Sequence, residues 1–489
     1  MQQYYPSSTA AMRCSPSTAT ILLVGTALSV ATVTVMGIAI VAAAASCSGW
    51  PMNGKLLSFL RPKQCGLLKE IWERHQELLT YGVNGKELGD EGASPRTTSA
   101  LFGSVELLDD VARDNRVQLL GCDHLSNVSS LELIGSGYTK TVYKGVLPDG
   151  RTVALKSINV EGTDMRRCVQ RYGNIDGCYR LAAYKLVKEV TLLQKLQHQG
   201  IISLQGKCYE NSMAFRIRVI SVLELGSPVD MIHLLQTPWE ERFKVCMSLI
   251  KLLHYLAHSP LGSVALLDFQ PRQFVLVDGN LKITDIDDAT TEELTCTEDS
   301  DCKLEFPTRN FTLKCCPNGK CQGINAKRNI YNAFRYFFTY LLPHRAPYEL
   351  QPFLNKIMNS TGDLLYDIDE TNDAFDEILH LYKSGLYFTN TFQHLKGYQA
   401  YENVAVKDEP DYKCWPSYNL QGCLLSVHNA EEAAAICNSH PKCQCFVLTA
   451  QRTWTGRYLA WFRSGFTNLI PDRNSSVYIR MSNTSVPTI

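Results

Sequence analysis

Residues 133–143 read Leu133-Ile134-Gly135-Ser136-Gly137-Tyr138-Thr139-Lys140-Thr141-Val142-Tyr143. A short apolar strand enters a Gly-Ser-Gly turn and a second strand leaves it. Glycine at 135 and 137 removes the Cβ that would hold backbone N–H groups away from a phosphate. A Gly-x-Gly of this kind is usually a plain hairpin, so its surroundings decide the reading. Pro148-Asp149-Gly150 makes a turn. Val153-Ala154-Leu155-Lys156 is the next strand, and its lysine can reach a phosphate held by the glycine turn.

Downstream, Leu181 to Leu196 reads as a helix with Leu186, Val190, Leu193 and Leu196 on one face. Glu189 sits beside that face and can turn toward Lys156. Ile217 to Leu225 is a strand that ends in Glu224-Leu225-Gly226, and Trp239 to Ala257 is an amphipathic helix. In Val264-Ala265-Leu266-Leu267-Asp268-Phe269-Gln270-Pro271-Arg272-Gln273, an aspartate opens a short polar loop. Phe274–Val277, Asp278-Gly279 and Leu281–Thr284 form a tight hairpin. It ends on Asp285-Ile286-Asp287-Asp288, and carboxylates at a strand end serve as metal ligands in phosphate chemistry. Taken singly, these are a solvated lysine, a surface glutamate and acidic turns. Their order along the chain makes them a set.

The 489 residues suffice for two or three domains. Lys plus Arg and Asp plus Glu are both 48, so the net charge is zero. That excludes a nucleic-acid binder acting through a broad basic surface and a disordered acidic chain. Eighteen cysteines are unusual. Cys296, Cys302, Cys315, Cys316 and Cys321 cluster, as do Cys414, Cys423, Cys437, Cys443 and Cys445. They form no paired CxxC knuckles, so disulfides in an oxidising compartment are favoured over zinc. Without Cys14 the number is 18 − 1 = 17, which is odd, so one free thiol or one intermolecular bridge is expected if all the others pair.

Ile21 to Ala45 is almost wholly apolar or small. As a helix it would reach about 37 Å, enough for a bilayer core of about 30 Å. Residues 1–46 are therefore a signal peptide, cleaved near Ala43-Ala44-Ala45, or a signal anchor. In either case the remainder meets the secretory lumen, and sequons at Asn127, Asn310, Asn359, Asn474 and Asn483 agree. Residues 47–120 read as a stem with a short helix between Cys65 and Thr80, followed by a linker over Gly82–Thr98. Residues 121–395 are the main domain, 396–410 a polar connector, and 411–489 a Cys-rich module. That module has a helical run Ala430–Asn438 among strands and resembles the PAN/apple pattern. It is either a binding unit or a cap on the main domain.

Glycine loop, strand lysine, helix glutamate, loop aspartate and a DFG-like aspartate occur here in the order of the protein kinases, which residues 125–390 resemble. The segments GSGYTKTVYKGVLPDG, CYRLAAYKLVKE, LAHSPLGSVALLDFQPRQFVLVDG and LEFPTRNFTL resemble more specifically the secreted kinases of the secretory pathway, among them extracellular tyrosine-protein kinases. The resemblance implies an α+β bilobal kinase-like fold with a disulfide-linked activation segment and a Cys-rich C-terminal extension. It implies ATP with Mg²⁺ or Mn²⁺ as cofactors. Ile134, Gly135, Ser136 and Gly137 would cover the nucleotide, and Val142 and Glu224 would border it. Lys156 would hold phosphates and be oriented by Glu189. Asp268 would take the substrate proton, and Asp285, with Gln273, would hold metal. Secreted and matrix proteins would be the substrates, in the Golgi lumen and outside the cell. No nucleic-acid partner is expected, and membrane contact only through an uncleaved N-terminal segment.

Departures from the kinase pattern matter as much. The third loop glycine is Lys140, which adds a charge near the phosphates. Leu266-Leu267 replace the usual His-Arg, and Gln270 the usual lysine. Gln273 stands for the metal-binding asparagine, which puts a second metal in doubt. Asp287 replaces the DFG glycine, and Asn329 stands where an aspartate is expected. The phosphate lysine, the base and the metal aspartate are nevertheless all present. The expected function is transfer of the ATP γ-phosphoryl to tyrosines of secreted proteins. The alternatives are a catalytically silent extracellular binding module and a lumenal glycan kinase.

Overall fold

The computed structural model describes residues 62–82, 119–213, 216–388, 394–407 and 412–481. The apolar segment Ile21–Ala45, residues 83–98 of the linker and Asn483 lie outside the described residues. No helix among the described residues is long and apolar enough to cross a membrane. The chain divides into Met1–Lys69, of which only Pro62–Lys69 are described, and Glu70–Ile489. Helix α1 (Pro62–Gly82) carries the periodicity expected between Cys65 and Thr80. Within the second unit, its Glu77 Oε1 accepts a hydrogen bond from Lys188 Nζ at 2.6 Å.

An antiparallel sheet forms the first lobe: β1 (Ser129–Ser136), β2 (Lys140–Val146), β3 (Thr152–Ile158), β4 (Leu204–Met213) and β5 (Arg216–Glu224), in the order β1-β2-β3-β5-β4. Helices α2 (Thr163–Tyr172) and α3 (Ile175–Lys195) fall between β3 and β4. Asn174 caps α3 by accepting the Gly177 N–H at 2.9 Å. Leu186, Val190 and Leu193 are buried together, and their spacing brings Glu189 inward with them.

The second lobe is built round α4 (Trp239–Ala257). Phe243, Cys246, Leu249, Ile250 and Leu253 bury one side, and Val245, Met247 and Leu252 widen the buried face, which makes it a central helix. The hairpin β6 (Phe274–Val277) and β7 (Asn280–Ile283) turns through Asp278 and Gly279 at φ 50° and 73°. Both positions are left-handed, as a two-residue hairpin turn requires. Next comes a small hairpin, β8 (Lys303–Phe306) and β9 (Arg309–Thr312), flanked by the disulfides Cys296–Cys315 and Cys302–Cys321. Its Phe306 and Phe311 rings pack on Tyr331 of helix α5 (Ile324–Ala333), with centroids 4.2 and 5.0 Å away. Helices α6 (Gln351–Gly362) and α7 (Ile368–Ser384) complete the lobe.

The C-terminal module is a second five-stranded antiparallel sheet. Its strands are β10 (Tyr398–Val406), β11 (Cys423–Val427), β12 (Cys445–Arg452), β13 (Tyr458–Arg463) and β14 (Leu469–Arg480), in the order β10-β14-β12-β13-β11. Helix α8 (Ala430–Ser439) and the bridges Cys414–Cys423 and Cys437–Cys443 tie it together. Here the sequence reading needs correction. Residues 398–406 are a strand rather than part of a connector. β10 lies at the sheet edge, where one partner suffices, and its Gln399, Ala400, Glu402 and Asn403 are exposed.

Cys122–Cys208 and Cys168–Cys178 are also bridged. The odd count predicts one thiol over if all the others pair, whereas among the described residues Cys246, Cys316 and Cys445 lie outside disulfides. Cys246 fills the core of α4, and burial pushes its thiol well up, so it packs as a small apolar group. Asn127, Asn310, Asn359 and Asn474 are all exposed.

Candidate active site

Between the lobes lies a cleft of roughly 720 Å³, and its walls include the glycine turn, Lys156, Asp268, Gln273 and Asp285. Strand alternation builds its roof. Val142 pairs across from Lys156, and Lys140 pairs across from Ile158 two residues along, so Lys140, Val142 and Lys156 share one face. The turn is fastened from behind. Asn159 Nδ2 donates to the Gly137 carbonyl at 2.8 Å, and Thr139 Oγ1 donates to Asp164 at 2.6 Å. Gly162 permits this closure, since a Cβ there would lie 2.1 Å from the Tyr138 carbonyl oxygen.

Lys156 Nζ lies 2.6 Å from Glu189 Oε1 and donates to the Thr284 carbonyl at 2.8 Å. Both side chains are buried. The other Glu189 oxygen accepts a hydrogen bond from Lys140 Nζ. Lys140 also meets Asp285 Oδ1 at 2.6 Å and Asp287 Oδ2 at 3.0 Å. Burial alone would lower the Lys140 ammonium, but Asp285, Glu189 and Asp287 override it and hold it well above the ordinary lysine range. Burial would raise Asp285, yet the two lysines hold it far below the usual carboxylate range. Asp287 is pushed up to about 6 by burial and by its acidic neighbours, against the pull of Lys140.

Across the cleft, Asp268 accepts hydrogen bonds from Gln270 Nε2 at 2.9 Å and from Gln273 Nε2. Arg272 Nη2 stands 3.4 Å from the same carboxylate. Asn329 supports this loop from beneath. Its Oδ1 accepts the Leu266 N–H at 2.9 Å, and its Nδ2 donates to the Val264 carbonyl at 2.8 Å.

The structure thus brings Gly135, Ser136, Gly137, Val142, Lys156, Glu189, Asp268, Gln273 and Asp285 to one cleft. Ile134 does not line it. Nor does Glu224, whose carboxylate accepts from Lys282 at 2.5 Å and from the Ser203 N–H at 2.7 Å in a separate cavity. Sequence reasoning missed Arg272 and the pairing of Lys140 with the acidic cluster. Lys140 falls two residues from Val142 in an alternating strand, a signal for the face it shares but not for the acids it meets. A paired lysine and glutamate beside an aspartate at a strand end are the donor set that nucleotide phosphates and a divalent cation require, so the residues present fit both groups.

Residues 182–361 match the family model described as the protein-kinase domain of FAM69. The human extracellular tyrosine-protein kinase PKDCC is 53% identical over 364 residues, which cover 74% of each chain. Wall-associated receptor kinase-like 10 of Arabidopsis thaliana is 29% identical over 142 residues, 28% of this chain and 16% of that protein. The solved pseudokinase named drought responsive inactive kinase 1 aligns at 16% identity and a TM-score of 0.34, over 54% of this chain and 96% of that chain. With the kinase-like fold and the extended identity to the human protein, the chain belongs to the protein-kinase family of the extracellular tyrosine-protein kinase PKDCC.

Proposed function

We propose that this protein is a secretory-pathway kinase that transfers the γ-phosphoryl of ATP to tyrosine hydroxyls of secreted, lumenal and matrix proteins. The observation that carries the reading is the Lys156–Glu189 pair facing Asp285 and Asp268 across one cleft. A divalent cation, when bound, supplies positive charge to the transferring phosphoryl group. Asp285 is the residue suited to hold it, because the neighbouring lysines keep its carboxylate ionised. Lys156 is suited to the nucleotide phosphates, and Glu189 fixes its position. Asp268 orients the acceptor hydroxyl and takes its proton as the acceptor oxygen bonds phosphorus and ADP departs. Its carboxylate is aimed by Gln270 and Gln273 rather than by a lysine. Bridged cysteines and exposed sequon asparagines support a lumenal or extracellular location. The tyrosine preference rests on the name of the human relative.

The test is phosphoryl transfer from labelled ATP, with Mn²⁺ or Mg²⁺, to a mixture of secreted proteins, followed by identification of the labelled atom. Asp268→Asn is expected to lower the rate by about 10²–10⁴-fold while nucleotide binding persists. Label on tyrosine that disappears in this variant supports the reading. Label confined to glycans moves the acceptor class. No transfer above the Asp268→Asn protein, with no nucleotide binding, leaves a silent binding module.

A further inference from the structure

The cleft holds more negative charge than Lys156 balances. Glu189, Asp285 and Asp287 converge on one point, and the Lys140 ammonium occupies it in contact with all three. Lys140 is 6% exposed and is placed by a paired strand, not by a free loop end. A buried ammonium persists only where anions and acceptors surround it. Two lysines against three carboxylates leave one net negative charge, and without Lys140 there would be two. The extra lysine of the glycine turn and the extra aspartate after Asp285 therefore form a matched pair.

A second observation lies on the opposite wall. Gln273 stands at the position that would ligate a second cation, and its Nε2 is directed at Asp268. Gln270 and Arg272 are directed at the same carboxylate. The amide is thus committed to aiming the base. What remains beside Asp285 is a fixed ammonium, its donors turned to the three carboxylates, whose compact positive charge acts on phosphate oxygens at short range.

We propose that Lys140 takes the place of a second divalent cation, so that the protein holds its nucleotide with one divalent ion at Asp285 and the Lys140 ammonium beside it. The proposal rests on the nucleotide-binding part of the kinase reading and deepens it. The experiment counts bound Mn²⁺ by electron paramagnetic resonance during titration of the full secreted protein with a non-hydrolysable ATP analogue. One Mn²⁺ per bound nucleotide is expected in the native protein. Lys140→Ala is expected to weaken nucleotide binding by about tenfold or more at low Mn²⁺, the scale of one charge-assisted contact. At high Mn²⁺ it should take up a second ion. Lys140→Arg keeps the charge and should keep the count at one. If Lys140→Ala is not secreted, the double variant Lys140→Met with Asp287→Asn removes both charges together and should still lose affinity.

Two Mn²⁺ per nucleotide in the native protein would overturn this proposal alone, leaving the kinase reading intact. So would a Lys140→Ala protein with native affinity and a single ion. A native protein that binds no nucleotide with any amount of Mn²⁺ would overturn the proposal and the kinase reading together.

Discussion

Asn329 illustrates how one side chain can position a reacting group it never touches. Its amide supplies one acceptor and one donor, and the backbone on either side of Ala265 uses both. Asn329→Ala leaves a buried N–H and a buried carbonyl unpaired, at about 1–3 kcal/mol each. The expected outcome in steady-state kinetics is a lower kcat with little change in KM for ATP, because the loop carrying Asp268 loosens while the Lys156 side of the cleft is untouched. At this scale the sequence was partly legible. Lys156, Glu189, Asp268 and Asp285 could be named because each occupies a fixed place in an ordered set. The partnership of Lys140 could not, since Glu189 and Asp285 lie 49 and 145 residues away, and only the folded lobes bring them together. Glu224 shows the converse, expected at the site but placed elsewhere: at its strand end the carboxylate accepts from Lys282, and the residue lines a separate cavity.

Among the elements, the segment after Asp285 departs most from a regulated kinase. Cys296–Cys315 and Cys302–Cys321 each close a separation of 19 residues. Chain-entropy reasoning assigns a loop of that size about 3 kcal/mol. Cys302 and Cys321 are buried, whereas Cys296 and Cys315 are partly open. Replacing the buried pair together, Cys302→Ala with Cys321→Ala, should lower stability by about that 3 kcal/mol in denaturant titration and open residues 296–321 to limited proteolysis. Local chemistry made the β6–β7 hairpin legible, since Asp-Gly states its own turn. β10 was illegible because its only neighbour in the sheet is β14, far along the chain, and an edge strand needs no apolar alternation.

On the scale of the whole molecule, a buried polar network ties the C-terminal module to the second lobe. Arg457 Nη2 meets Glu432 Oε1 at 2.6 Å, and Arg457 Nη1 donates to the Tyr382 carbonyl of α7 at 2.9 Å. Tyr387 donates to Glu432 at 2.5 Å, and Thr455 donates to Glu240 of α4 at 2.6 Å. The module therefore packs as a cap on the lobe, which its composition left open beside a binding role. Burial raises the phenols of Tyr382, Tyr387 and Tyr418 well above their ordinary range. The unfolded chain ionises these tyrosines near pH 10 while the folded protein keeps them protonated. Their contribution is complete below pH 10 and declines as pH rises beyond it. The expected slope is about 1.4 kcal/mol per pH unit for each phenol, checked by unfolding free energies measured from pH 9 to 11.5.

The bridged segment also bears on where such a protein can work. Its two cross-links depend on an oxidising environment. A copy stranded among cytosolic reductants would lack both, and with them the fixed hairpin that packs on Tyr331. Maturation by oxidation would then act as a licence, granted once, in the compartment where the protein is made for export. Under the proposed function, intracellular proteins would be shielded from it by chemistry as well as by a membrane.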